Sequence, residues 1–170
     1  PAGDRLYRNN AEKGEKRFTS VTNEAGIFSS QIGYGLGIGM ADVNNDGWPD
    51  IYVSNDFNEN DYLYINQGNG TFKESSKDAL TYMSRFSMGN DLADFNNDGW
   101  QDIFVCNDFW AADRLYLNNQ DGTFTNVDDE LLARNSLFSM GSDATDFNND
   151  GWLDLVSVDM LPKDNRRQKS

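Results

Sequence analysis

The sequence predicts an all-β chain built from β-propeller-type blades of four antiparallel strands. Three observations carry this reading: an Asp-rich motif that recurs every 52 residues, strand-like runs on either side of it, and Gly-containing turns that join later runs into hairpins. Nothing shows sustained helical periodicity, a short stretch near Asp128–Arg134 being the one candidate.

The repeat is read directly. Asp42-Val-Asn-Asn-Asp-Gly-Trp, Asp94-Phe-Asn-Asn-Asp-Gly-Trp and Asp146-Phe-Asn-Asn-Asp-Gly-Trp stand 52 residues apart. A second element keeps the same phase: Asp61-Tyr-Leu-Tyr-Ile-Asn and Asp113-Arg-Leu-Tyr-Leu-Asn, with Asp4-Arg-Leu-Tyr-Arg-Asn as an earlier copy. Within each unit a first strand, such as Ser87 to Ala93, runs into the Asp-rich loop. A second strand leaves it: Asp50-Ile-Tyr-Val-Ser, Asp102-Ile-Phe-Val-Cys or Asp154-Leu-Val-Ser-Val, all rich in β-branched and aromatic residues. The third and fourth form a hairpin around Asn69-Gly70 or Asp121-Gly122, dipeptides that accept the positive φ of a tight turn. A four-stranded unit repeating every roughly 40–50 residues is the pattern of a propeller blade. One blade cannot bury both faces, so neighbours must stack. Gly33, Gly35, Gly37 and Gly39 alternate with bulkier residues, which suits an inner strand crowded near a propeller axis; no Gly-Lys-Ser/Thr follows, as a phosphate loop would need.

These phases divide the chain into a half blade (1–30), two blades (31–80 and 81–134), a half blade (135–162) and a polar, basic tail (163–170). About three blades are too few for a closed propeller of typically 4–8. The expectation is either a segment of a longer protein or head-to-tail association, in which one chain's C-terminal half blade pairs with another's N-terminal half.

Composition excludes several classes. A net charge of −14 and no basic face argue against nucleic acid as partner. There is no histidine, which removes the commonest general base, and the single Cys106 allows neither an internal disulfide nor a Cys/His metal cluster. No apolar run is long enough to span a membrane.

The Asp-rich loop is the candidate site. Calcium takes six to eight oxygen ligands in flexible geometry, and oxygen-bearing residues at alternate positions around a Gly supply them from one short loop. The first loop offers Asp42, Asn44, Asp46, the carbonyl of Trp48, and Asp50. The second offers Asp94, Asn96, Asp98, the carbonyl of Trp100, and Asp102; the third Asp146, Asn148, Asp150, the carbonyl of Trp152, and Asp154. Three Ca²⁺ ions, one per loop, are expected, taking the charge from −14 to −8. Magnesium prefers fewer protein ligands, and zinc wants N or S. An EF-hand would need Glu at position 12, where Val53, Val105 and Ser157 stand, and helices where strands are expected.

Other in-phase residues carry two readings each. Asn55-Asp56-Phe57 and Asn107-Asp108-Phe109, with Asp159 at the corresponding place, form either a further polar layer or Asx-capped turns, the latter preferred. Asp91 and Asp143 precede two of the loops. Trp48, Trp100 and Trp152 pack between blades or stack on sugars; Trp110 occurs in one unit only. Asn69-Gly70-Thr71 matches a glycosylation sequon but also reads as the hairpin turn.

The loops, with Leu-Tyr-x-Asn and Gly-Thr-Phe in phase, resemble FG-GAP/VCBS repeats, closer to the bacterial secreted type than to the integrin α-subunit because the Phe-Gly and Gly-Ala-Pro signatures are not intact. The resemblance implies a β-propeller with a Ca²⁺ loop between the first two strands of each blade, a secreted or cell-surface location, and adhesion or scaffolding without catalysis. Alternatives are a carbohydrate-binding module or the propeller part of a larger secreted enzyme. A hydrolase working with paired carboxylates could in principle draw on Asp56, Asp108 and Asp159, but each belongs to the repeat.

Overall fold

The computed structural model describes residues 3–14, 17–109, 111–133 and 136–160; Trp110 and the tail 163–170 lie outside them. A two-stranded hairpin, β1 (Tyr7–Asn9) and β2 (Phe18–Ser20), comes first. Two four-stranded meanders follow. One contains β3 (Gly35–Ala41), β4 (Asp50–Asn55), β5 (Tyr62–Asn66) and β6 (Phe72–Glu74). The other contains β7 (Ser87–Ala93), β8 (Asp102–Asn107), β9 (Arg114–Asn118) and β10 (Phe124–Asn126). A last pair, β11 (Ser139–Thr145) and β12 (Asp154–Asp159), repeats the first two strands of a meander. Neighbours in each sheet follow chain order and run antiparallel. The chain is an all-β segment of a propeller, as its repeat predicts. Two four-residue helices follow the fourth strands: α1 (Ser76–Ala79), and α2 (Asp128–Leu131) where the short helical stretch was expected.

Alternation along the second strands makes the sheets stack. On β4, Tyr52 points toward the second blade while Ile51 and Val53 point toward the hairpin. Tyr52 joins Val43, Leu63, Ile103, Val105, Tyr116 and Phe124 in a core between the two full blades. Ile51 and Val53 join Val21, Ala25, Ile27, Tyr62 and Tyr64. On β8, Phe104 and Cys106 face the other way, toward Leu155 of the last pair. The second strands of both full blades are thus buried throughout, with apolar side chains on both faces, and each large side chain so buried stabilises by about 1.5–3 kcal/mol.

The inner strands approach at glycine. A Cβ on Gly37 would stand 2.9 Å from Gly89 Cα, and a Cβ on Gly89 2.9 Å from Gly141 Cα. Backbone therefore meets backbone along one line through β3, β7 and β11, which is the crowding the alternating glycines predict. Each of these strands carries an irregularity at the same place, between Gly35 and Gly37, Ser87 and Gly89, and Ser139 and Gly141. Ile38 of β3 and Val156 and Val158 of β12 remain exposed.

Candidate metal centre

The three Asp-rich loops join β3 to β4, β7 to β8 and β11 to β12, and all three fold alike. The first-position Asp turns the loop around its own carboxylate, as Asx side chains do. Asp42 Oδ1 accepts the N–H of Asp46 (3.0 Å) and Oδ2 that of Gly47 (2.7 Å). Asn44 Oδ1 accepts the same Asp46 N–H (3.1 Å), and Asp46 Oδ1 accepts that of Trp48 (2.9 Å). In the second loop Asp94 accepts from Asp98 (2.9 Å) and Gly99 (2.8 Å), Asn96 from Asp98 (3.1 Å), and Asp98 from Trp100 (2.9 Å). In the third, Asp146 accepts from Asp150 (3.1 Å) and Gly151 (2.9 Å), Asn148 from Asp150 (2.8 Å), and Asp150 from Trp152 (2.9 Å). This winding forces positive φ twice per loop: at Asn45, Asn97 and Asn149 (54°, 58° and 59°), and at Gly47, Gly99 and Gly151 (88°, 88° and 89°).

The ninth-position acids turn inward. Asp50, fully buried, accepts the N–H of Val43 on Oδ2 (3.0 Å) and of Asn66 on Oδ1 (2.7 Å). Asp102, equally buried, accepts from Phe95 (2.9 Å) and Asn118 (2.8 Å). Asp154 is half-buried and accepts from Phe147 (3.3 Å). These carboxylates tie the loop's entry to its exit and, in the two full blades, to the end of the third strand. Burial pushes the Asp50 carboxyl up against its two backbone N–H bonds, and the acids Asp46 and Asp42 add to the rise. The same causes, with Asp98 and Asp94 as the charged neighbours, push Asp102 up to about 6. Asp98 itself, out in solvent, sits below the ordinary carboxylate range because the Trp100 N–H bonds to it.

Each loop thus carries three carboxylates, an amide oxygen and a backbone carbonyl along one short stretch of chain, and in the first two loops the charged neighbours acting on the buried acid are themselves acids. Among the described residues no three His, Cys, Asp or Glu side chains come close enough together to hold a metal ion. The donor set fits a hard cation in kind, since every group is an oxygen and each bonded carboxylate oxygen retains a second acceptor position. Closing a full shell requires the loop acids to draw in.

At the opposite ends of the same strands lies a polar layer that the repeat marks without explaining. Asp61 accepts from Tyr52 Oη, the Asn55 N–H and Ser87 Oγ of the next blade, all at 2.8 Å. Asp113 accepts from the Asn107 N–H (2.9 Å) and from Ser139 Oγ (2.8 Å), again one blade on. Burial pushes Asp61 up to about 7 and Asp113 up to about 6 despite these donors. Asn55 and Asn107 donate Nδ2 to the carbonyls of Asn60 (3.0 Å) and Ala112 (2.7 Å), and Asp56 accepts the N–H of Phe57 (2.7 Å), so these residues cap turns. Asp91 is raised by burial, with Asp143 as a neighbouring acid. Trp48 is 51% exposed and lies under Gly68 of its own blade, where a Cβ would stand 2.9 Å from the indole nitrogen; Trp152 is 57% exposed. Asn69 accepts the N–H and hydroxyl of Thr71 (3.0 and 2.7 Å), which makes Asn69-Gly70-Thr71 the hairpin turn.

A family model for the FG-GAP-like repeat matches three overlapping stretches, 1–53, 42–105 and 94–157. Each later match begins in the Asp-rich loop of one blade and ends in the second strand of the next, so the sequence repeat straddles the blade. Integrin alpha-3 of Mus musculus is 33% identical over 101 residues, 52% of this chain. Cartilage acidic protein 1 of Mus musculus is 36% identical over 99 residues, 57% of this chain, and that of Xenopus tropicalis 28% identical over 163, 89% of this chain. The chain spans 10% of the integrin and 15% and 24% of the two cartilage proteins. With repeat matches running from residue 1 to 157 over blades of one strand order, the chain belongs to the FG-GAP-like repeat family.

Proposed function

We propose that the chain is a calcium-stabilised segment of an extracellular β-propeller with an adhesive or assembly role. The observation that carries this is the threefold loop presenting oxygen donors alone. Asp42, Asn44, Asp46 and the Trp48 carbonyl would hold one Ca²⁺ with Asp50 completing the shell. Asp94, Asn96, Asp98, Trp100 and Asp102, and then Asp146, Asn148, Asp150, Trp152 and Asp154, would do the same in the next two loops. A bound ion supplies two positive charges where each loop gathers three carboxylates. The role is structural: the buried acids Asp61 and Asp113 are engaged by hydroxyl and backbone donors. Partners, on this reading, are further blades, from the same polypeptide or from a second copy; the exposed Ile38, Val156 and Val158 support this. Likeness to integrin alpha-3 and cartilage acidic protein 1 supports a secreted or cell-surface location.

A thermal melt with and without EGTA tests the calcium reading. At calcium 100-fold above its dissociation constant, each site contributes about 2.7 kcal/mol. The midpoint falls when calcium is removed; an unchanged melt would sink the reading. The exposure of Trp48 and Trp152 beside the loops favours one further reading, a glycan-binding surface, which a glycan array would detect.

A further inference from the structure

We propose that neighbouring Asp-rich loops take up cations cooperatively, through hydrogen-bonded links that join the first loop to the second by two routes and the second to the third by one. This rests on the cation reading of the loops.

The outer link starts at the fourth loop position, between two proposed ligands. Asn45 donates Nδ2 to the carbonyl of Gly99 in the next loop (3.3 Å), and Asn97 donates to that of Gly151 (2.9 Å). Both asparagines sit at positive φ, where Gly is the least strained residue and a side chain has a cost. All three loops nevertheless carry Asn there. The side chain does what Gly cannot: it reaches across to the neighbour. The carbonyl it meets immediately precedes Trp100 or Trp152, whose own carbonyls belong to the proposed shells.

The inner link runs through the ninth-position acids. Asp50 Oδ2 accepts the Val43 N–H (3.0 Å), the Val43 carbonyl accepts Asn118 Nδ2 (2.8 Å), and the Asn118 N–H donates to Asp102 Oδ1 (2.8 Å). Buried groups thereby connect the closing acid of the first loop to that of the second. Asn118 also donates Nδ2 to Gln101 (3.0 Å), fixing its carboxamide in this orientation.

Closing one loop draws its acids together and fixes Asn45 and Val43. Their partners Gly99 and Asn118 are then held where the second loop needs them, so the second uptake meets a smaller ordering cost. The sign is therefore positive, and the coupling is stronger between loops one and two than between two and three. An expected size is about fivefold in affinity.

The test compares Asn45→Gly with Asn149→Gly. Each keeps the positive φ and leaves the proposed ligands in place; Asn149 makes no side-chain hydrogen bond to a described residue that the structure records, so it controls for the substitution itself. Calcium titrations of the full chain are followed by calorimetry. The wild type is expected to give an isotherm steeper than three independent sites, Asn149→Gly the same, and Asn45→Gly a shallower one, with second-loop affinity about fivefold weaker. Amide exchange at Gly99 and Trp100 without calcium should also quicken in Asn45→Gly and not in Asn149→Gly. Calcium uptake with indistinguishable Asn45→Gly and Asn149→Gly isotherms would overturn the coupling alone. A wild type that takes up no calcium would overturn the cation reading and the coupling with it.

Discussion

Replacing Ser87 by Ala removes one buried hydroxyl from the junction between the two full blades. Ser87 is fully buried, and its Oγ lies 2.8 Å from Asp61 Oδ2 and 3.1 Å from Asn107 Oδ1. It has one proton, and the shorter contact to the carboxylate receives it. Asn107 Oδ1 has a second donor in Ser84 Oγ (2.8 Å), so the substitution leaves it partnered. Asp61 keeps Tyr52 and the Asn55 N–H but loses its tie to the next blade. A hydrogen bond to a charged group contributes about 1.5–3 kcal/mol, and one between neutral groups about 0.5–1.5 kcal/mol. Because burial holds Asp61 at about 7, the acceptor is mostly charged at pH 8 and mostly protonated at pH 5. Ser87→Ala is therefore expected to cost about 1.5–3 kcal/mol at pH 8 and roughly half that at pH 5. Guanidinium unfolding at both pH values, with an unchanged m-value, measures this. A cost below about 0.5 kcal/mol at pH 8, or one independent of pH, would refute the assignment of Asp61 as a charged inter-blade acceptor.

Three further outcomes follow from the same geometry. Asp61 and Asp113 have folded pKa values raised by burial to about 7 and about 6, above the unfolded value of 3.8, so the folded state binds protons more tightly. Their contribution is complete below pH 3.8 and is lost as pH climbs through 6 and 7; melting midpoints measured across that range should fall, and a rise would contradict this. Asn118→Ala removes donors to the Val43 and Gln101 carbonyls and the acceptor for the Gln120 N–H (2.8, 3.0 and 2.9 Å). It should cost about 2–3 kcal/mol in chemical denaturation, and a neutral result would argue against the link. Gly99→Ala meets open space at φ 88°, so its cost is backbone strain alone, about 1–2 kcal/mol by the same measurement; no loss would mean that the loop adopts another winding.

Much of this architecture was legible in the spacing. The reading of Ser87 to Ala93 as a first strand coincides with β7, and the Asp50, Asp102 and Asp154 runs begin β4, β8 and β12. Strand alternation and turn chemistry are local, so one sequence window contains them. The helix Ser76–Ala79 was not expected, because a single turn is too short for periodicity to register. The bulges at the starts of β3, β7 and β11 leave no composition signal. At the loops, alternate spacing picked out the oxygen donors but not the direction in which they face. Asp50 and Asp102 turn inward because the Asn66 and Asn118 amides, on strands added later in the chain, offer them donors. Asp61, Asp113 and Asn118 were visible only as markers of the repeat, since their partners Ser87, Ser139 and Val43 sit on neighbouring blades.

The central claim is that each Asp-rich loop holds a calcium ion. Equilibrium dialysis of the chain against millimolar radioactive calcium at physiological ionic strength, with the bound ions counted per chain, tests it most directly. One ion for each of the three loops is predicted, falling by one with Asp46→Asn, Asp98→Asn or Asp150→Asn. A chain that retains no calcium, or retains it unchanged in all three variants, would contradict the account.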